Sequence, residues 1–226
     1  MFGIKTNDSI KYSKQGKLSA VASRSSKNLK KFTDKYQVNT FDSYDALLDD
    51  SSIDAVYIGT PHNSHYELSL KTLRSGKHLL CEKPMTMNST EAMILLNEAR
   101  VNNLFFMEAF MYRCHPLTHK MLEIVKQEFS DQEVLIESSF GFTADVTEDH
   151  RLKNPTLGGG SILDIGCYPL SMARLIAGNL MGKSFSDPIS ISASGNLSSE
   201  NIDLNAKAEI RFNSKIKAII KSAINE

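Results

Sequence analysis

The chain of 226 residues contains no G-x-G-x-x-G behind a strand. Before Leu18 its only glycines are Gly3 and Gly16, so no glycine-lined phosphate loop of the usual dinucleotide fold can be read there. Gly158 and Gly160 imitate part of that fingerprint, but they follow Lys153-Asn154-Pro155, which is no strand, and Leu163 stands where the third glycine belongs. There is no G-x-S-x-G, which removes support for Ser/His/Asp hydrolase chemistry. There is no H-E-x-x-H either; His115 and His119 are four apart but no third ligand is evident, so no metal site is expected. No apolar run is long enough to span a bilayer, and no signal peptide is read at Met1. The three cysteines, Cys81, Cys114 and Cys167, form no C-x-x-C and read as reduced thiols. The charges balance, 26 basic against 26 acidic, without a long block of one sign, so nothing points to nucleic acid or an anionic membrane. A soluble, cytoplasmic protein with one or two domains is expected.

What is present begins with Gly76-Lys77-His78-Leu79-Leu80-Cys81-Glu82-Lys83-Pro84. The run His78–Cys81 reads as a short buried strand, and Pro84 cannot extend its ladder. Lys83 then sits near the carboxyl end of a strand, the edge where open α/β sheets bind ligands. A lysine there can hold a ribose, contact a substrate oxygen or lower the pKa of a neighbouring acid; it can equally be a loop lysine paired with Glu82. Upstream, Ile53-Asp54-Ala55-Val56-Tyr57-Ile58 is another apolar strand, stopped by Gly59 and Pro61. His62-Asn63-Ser64-His65 follows, then a helix over Tyr66–Ser75 closed by Gly76. Strand, loop, helix, strand is one βαβ unit, whose strands are parallel neighbours.

Further elements follow the same logic. Leu18–Ser23 is a strand, Ser26–Tyr36 a polar amphipathic helix and Ser43–Asp49 a short helix. Asn88-Ser89-Thr90-Glu91 is a capping-box-like start, after which Ala92, Leu95, Leu96 and Ala99 mark one helix face. Leu104–Met107 is a strand. The alternation argues for a parallel, Rossmann-like sheet. In the second half Pro116–Glu128 is a helix and Val134–Phe142 a strand. A helix from the Gly158-Gly159-Gly160 turn to about Ala177 follows, then three strands, 189–196, 204–212 and 216–224, with connections short enough for antiparallel pairing. Asp164 and Tyr168, four apart, share a face if helical, and Pro169 either kinks that helix or starts it near Tyr168. Ser23 and Arg24 follow the Leu18 strand with no acid beside them; an Arg at such a strand end accommodates a 2′-phosphate.

The ordered set Ala20-Val21-Ala22-Ser23-Arg24-Ser25, Asp54–Ile58, Thr60-Pro61-His62-Asn63-Ser64-His65 and Gly76–Pro84 resembles the Gfo/Idh/MocA oxidoreductase family. Glu108-Ala109-Phe110-Met111-Tyr112-Arg113-Cys114-His115-Pro116 and Gly158–Pro169 resemble most its branch with dimeric dihydrodiol dehydrogenase and NADP-dependent D-xylose dehydrogenase. The resemblance implies an α/β fold: an incomplete, truncated Rossmann-like NAD(P)-binding domain over 1–110, then an incomplete α+β domain with a largely antiparallel sheet over 111–226, for substrate and dimerisation. It implies that residues 1–17 are the remainder of a first helix and that the central strand of the first sheet is absent. It assigns Tyr168 as catalytic acid/base with Lys83 beside it and Asp164 in support. Ser23, Arg24, Thr60, Pro61, His62, His65, Glu82 and Lys83 would bind NADP in preference to NAD. Arg113 and His115 would face the substrate, with Glu108 pairing one of them. The implied function is hydride transfer between nicotinamide and a carbinol carbon of a sugar or cyclic trans-diol, by a homodimer joined through the C-terminal sheet. The alternative is a non-catalytic remnant that binds nucleotide weakly or binds a protein partner.

Overall fold

The structure, a computed structural model, describes residues 10, 12–143, 145–147 and 149–225. The helix expected over 1–17 falls mostly on residues outside that set. Where it can be checked, Ile10 is helical and 12–17 are turn and coil, with Ser13 Oγ accepting from the N–H groups of Gln15 and Gly16. The chain divides into two units, one of residues 1–60 and 64–108, the other of 61–63 and 109–226. Among the described residues no helix is long and apolar enough to cross a membrane.

The first unit alternates strand and helix: β1 (Ala20–Ala22), α1 (Ser26–Lys35), β2 (Asn39–Phe41), α2 (Tyr44–Asp49), β3 (Ala55–Ile58), α3 (His65–Arg74), β4 (His78–Glu82), α4 (Ser89–Val101) and β5 (Phe106–Ala109), whose last residue opens the second unit. Local chemistry sets the helix starts. Ser25, Ser43 and Asn88 each accept the N–H three residues on, and Glu91 reaches back to the N–H of Met87. Gly76, at φ +74°, ends α3 in the left-handed conformation that an L side chain resists.

β1 pairs in parallel with β2, and β3-β4-β5 form a separate three-stranded sheet in which β3 and β4 are parallel. Among the described residues, β1 and β3 therefore each have one strand neighbour. Strand β2 was not foreseen: Asn39-Thr40-Phe41 has neither an apolar run nor alternation, and only its pairing with β1 makes it a strand. Ile58, Leu73, Leu79, Cys81, Leu95 and Ala99 form the core. Leu96, expected on the buried face of α4, is instead 46% exposed; the face is carried by Leu95 and Ala99.

The second unit comprises α5 (Pro116–Phe129), β6 (Val134–Gly141), α6 (Cys167–Leu180), β7 (Ser190–Leu197), β8 (Asp203–Arg211) and β9 (Ile216–Ala223). Its sheet runs β6-β9-β8-β7, antiparallel except for the parallel pair β6–β9. Ala173 and Ala177, one turn apart on α6, are fully buried in a core with Ile136, Ile210, Phe212, Ile216 and Ala218. Small residues there let the helix axis approach the sheet closely.

Candidate active site

In the first unit, β3 and β4 run in register from Ala55↔His78 to Ile58↔Cys81. The Thr60 loop and Lys83 consequently leave the sheet at the same carboxyl edge, where such sheets hold ligands. His65, fully buried, ties the two loops together: Nδ1 lies 2.7 Å from the carbonyl oxygen of Pro84 and Nε2 2.8 Å from that of Thr60. The Lys83–Pro84 peptide bond is cis. Ser64 Oγ donates to Thr60 Oγ1 at 2.7 Å. Glu82 takes the Tyr57 hydroxyl at 2.7 Å on Oε1, while Oε2 accepts the N–H of Lys83 at 3.3 Å. Glu108, expected beside Arg113 or His115, accepts the Met85 N–H at 2.9 Å. Buried Lys77 braces the approach to β3 by donating to the carbonyl oxygens of Asp50 at 2.7 Å and Ile53 at 2.8 Å.

At the end of β1, Ser23 is anchored by its N–H to the Phe41 carbonyl, and its hydroxyl accepts the N–H of Ser25. Arg24 is exposed, its guanidinium carbon 5.7 Å from the centre of the Tyr44 ring. The first turn of α1 holds no acid. A cation at a strand end, beside a helix start without negative charge, suits a phosphate. These residues fit the adenosine end of a phosphorylated dinucleotide.

In the second unit, His62 is buried, with Nδ1 3.2 Å from the Gly158 carbonyl oxygen. Gly158, left-handed at φ +78°, ends a short 3-10 turn over Pro155–Leu157, and Gly160 follows at φ +114°. Ile162–Gly166 then winds as a π-helical turn that runs straight into α6. Such a turn is rare and recurs at functional sites. One carboxylate fastens it: Asp203 Oδ2, from the start of β8, accepts both the Ser161 hydroxyl and the Ile162 N–H at 2.7 Å. Ser161, wholly buried, also lies 2.9 Å from Ser222 Oγ on β9.

Asp164 sits within the π turn, buried, and pairs with Arg151 Nη1 at 2.8 Å. Tyr168 is the second residue of α6, which starts at Cys167 as the continuation of the π turn, and Pro169 is its third residue. Three rings surround Tyr168: Phe110 edge-on at 5.4 Å, Phe140 at 5.7 Å and Tyr112 at 6.3 Å between centroids. Tyr112 donates to Ser171 Oγ at 2.8 Å, and burial holds its phenol above the ordinary range. Arg113 is half-buried; His115 is exposed, and its Nδ1 caps α5 by accepting the Leu117 N–H. Sequence reasoning passed over Arg151, Asp203, Ser161 and Phe140. Their partners lie 13 to 42 residues away in sequence, or across a sheet, and only the glycine triplet hinted that something packed tightly there.

Residues 2–110 match the Gfo/Idh/MocA oxidoreductase family, NAD-binding Rossmann fold, and residues 119–225 match the Gfo/Idh/MocA C-terminal domain. The chain belongs to the Gfo/Idh/MocA family. It is 40% identical over 161 residues to D-xylose 1-dehydrogenase (NADP(+)) 2 of Haloferax volcanii, covering 70% of this chain and 49% of the relative. It is 30% identical over 206 residues to trans-1,2-dihydrobenzene-1,2-diol dehydrogenase of Xenopus tropicalis, covering 91% and 60%. The chain thus spans about half to three-fifths of the length of these relatives. Among solved structures, KijD10, a 3-ketoreductase from Actinomadura kijaniata in complex with NADP and TDP-benzene, superposes with a TM-score of 0.82 at 26% identity, covering 97% of this chain and 65% of that one. The aldose-aldose oxidoreductase of Caulobacter crescentus, at 22% identity and a TM-score of 0.84, shares the fold over 96% of this chain and 65% of its own.

Proposed function

We propose that the protein is an NADP-dependent dehydrogenase acting on a carbinol carbon of a sugar or cyclic trans-diol, with residues 1–110 serving the nucleotide and 111–226 the substrate. The observation that carries this is Tyr168, held at a helix start by three rings, with a buried, ion-paired Asp164 one turn before it. The names of the relatives agree with the reading.

When bound, the nicotinamide supplies the hydride acceptor. The chain's own residues handle the proton and the positioning. Tyr168 Oη takes the hydroxyl proton of the alcohol as its carbon loses hydride, and returns a proton in the reverse direction. A phenol with an ordinary pKa near 10 is a weak base at neutral pH, and an ammonium favours its ionised form. Lys83 is assigned that ammonium. Asp164, fixed by Arg151, supports the turn that carries Tyr168. Arg24 and Ser23 take the 2′-phosphate end, and Thr60, Pro61, His62 and Glu82 line the loops along the nucleotide. His65 contributes through the two loops it joins. Arg113 and His115 are assigned to the substrate. Association into a homodimer through the β6-β9-β8-β7 sheet accords with β7, exposed along all eight residues. Three free cysteines suit the reducing cytoplasm.

The test is NADP reduction with D-xylose and with trans-1,2-dihydrobenzene-1,2-diol, for the wild type and Tyr168→Phe. Turnover by the wild type and its loss in the variant support the reading; equal rates overturn it. Nucleotide binding without turnover of either substrate would make the protein a nucleotide- or partner-binding remnant.

A further inference from the structure

Strands β3 and β4 use their two faces differently. Val56, Ile58, Leu79 and Cys81 turn one way, into the core with Leu73 of α3 and Leu95 of α4. Tyr57 and Leu80 pair directly in the parallel register and turn the other way, as Glu82 does two residues on. Tyr57 is half-buried, and its ring leans along the strand toward the carboxyl edge. Gly59 leaves it room, for a β-carbon there would stand 3.2 Å from Cε1 of the ring and 3.3 Å from its hydroxyl oxygen. The hydroxyl reaches past Leu80 and donates to Glu82 Oε1 at 2.7 Å. An O–H given to a carboxylate is among the stronger hydrogen bonds.

Glu82 stands beside a second group of opposite charge. Its Oε2 accepts the N–H of Lys83 at 3.3 Å, so the carboxylate lies against the residue that bears an ammonium. Among the described residues, that carboxylate bonds the tyrosine and the N–H and is in no ion pair. We propose that Tyr57 is a positioning residue whose hydroxyl holds the Glu82 carboxylate off the Lys83 ammonium. The charge that Lys83 brings to the reaction is then not cancelled by its own neighbour in sequence. The inference rests on the function proposed above, in which that ammonium favours ionised Tyr168. A carboxylate in contact with the ammonium would offset much of its field at a third group. Phenylalanine at position 57 fills the same space but has no hydroxyl to restrain the carboxylate.

The experiment compares the wild type, Tyr57→Phe, Glu82→Gln and the double variant. Tyr57→Phe keeps the ring and removes only the hydroxyl, and urea unfolding checks that each protein is folded. In NADP reduction with D-xylose or trans-1,2-dihydrobenzene-1,2-diol, Tyr57→Phe is expected to lower kcat about ten-fold, the weight of one hydrogen bond to a charged group. KM for the sugar or diol should stay within about two-fold, since the loss falls on the reacting state. Adding Glu82→Gln removes the charge that would pair with Lys83. It should bring kcat back to within about three-fold of Glu82→Gln alone, whatever it does to KM for NADP. A tyrosine that only braces β3 gives a second substitution no reason to restore a rate. A double variant no faster than Tyr57→Phe therefore overturns the proposal.

A second arm needs no turnover. Competitive acylation with acetic anhydride, read by peptide mass spectrometry, compares Lys83 with exposed Lys30 on α1 in each protein. An ammonium held by a carboxylate gives up its proton less readily. Lys83 should thus react several-fold more slowly in Tyr57→Phe and recover in the double variant, while Lys30 is unmoved. That labelling pattern without turnover in any assay overturns the dehydrogenase reading and leaves the restraint on Glu82 standing. Wild-type turnover, with kcat and Lys83 labelling both unchanged in Tyr57→Phe, does the reverse. Absence of turnover together with unchanged labelling overturns both.

Discussion

Asp203 Oδ1 occupies the space that a β-carbon on Gly160 would need, and the same carboxylate bonds the hydroxyl of Ser161 and the N–H of Ile162. Gly160 is therefore fixed twice, by that contact and by φ +114°. Gly160→Ala is expected to cost about 2–4 kcal/mol in urea unfolding, from backbone strain and displacement of the carboxylate together. Asp203→Ala alone should cost about 1 kcal/mol, as a lost cap does, and the double variant should cost less than the sum. Strict additivity would mean that the two positions are not coupled.

Tyr168→Phe and Lys83→Met are each expected to lower kcat with NADP by about 10²- to 10⁴-fold, the range for a lost proton-transfer group. KM for the nucleotide should change little in Tyr168→Phe. A Tyr168→Phe enzyme within a few-fold of wild type would take Tyr168 out of the chemistry.

The first turn of α1, which follows Arg24, holds no acid, and the Tyr44 ring lies 5.7 Å from the Arg24 guanidinium carbon. Arg24→Ala should weaken NADPH by about ten-fold or more while leaving NADH nearly untouched, since one charge-assisted contact to a phosphate is worth about 1.5–3 kcal/mol. Calorimetric titration of both nucleotides decides it; an unchanged preference shows that the 2′-phosphate lies elsewhere.

Lys77 spends its ammonium on two main-chain carbonyl oxygens, those of Asp50 and Ile53, and is only 5% exposed. Lys77→Met keeps the bulk of the stem and leaves both carbonyls short of a donor. The expected loss is about 2–3 kcal/mol, read from urea unfolding of the first unit. A loss below 0.5 kcal/mol would mean that water replaces the ammonium at no cost.

Burial pushes the Cys81 thiol up to about 12 from its ordinary 9.0. The neutral form is favoured in the folded chain, so this contribution to stability is whole below pH 9 and is lost as the pH rises toward 12, where unfolding releases a thiolate. Each unit of pH within that window should cost roughly 1.4 kcal/mol more in the wild type than in Cys81→Ala. Unfolding at pH 8 and pH 10 measures the difference. At pH 8 exposed Cys114 should take up a thiol reagent while Cys81 stays unmodified.

Strand and helix identity was legible wherever one local signal sufficed. The βαβ unit from Ile53 to Glu82 showed itself through two apolar runs, a capped helix and Gly76, and its strands pair in parallel as expected. Strand β2 was not legible, because three residues with two exposed side chains have no pattern of their own. The candidate site divides the same way. Arg24, Lys83, Asp164 and Tyr168 stand out because their motifs are contiguous in sequence. Arg151, Asp203 and Phe140 matter through partners that only the tertiary fold supplies: a carboxylate 13 residues on, a hydroxyl 42 residues back, and a ring on another element. The exposure of Leu96 follows from the same limit, since a helical stripe gives a direction and the packed neighbours set its width.

The two sheets of the first unit should differ in amide exchange. Strand β4 lies between two neighbours and holds Leu79 and Cys81 at 1% and 0% exposure, so its amides open only when the unit unfolds. Strand β1 has three residues, none fully buried, and one strand neighbour among the described residues. Its amides should exchange through cheap local openings, and β1 is the strand that presents Ser23 and Arg24. A nucleotide held by Arg24 must first still that strand, so part of its intrinsic affinity is used in ordering the protein. Saturating NADPH should slow deuterium uptake along β1 and β2 far more than along β4, and the free energy of that protection equals what a preorganised β1 would add to the binding constant.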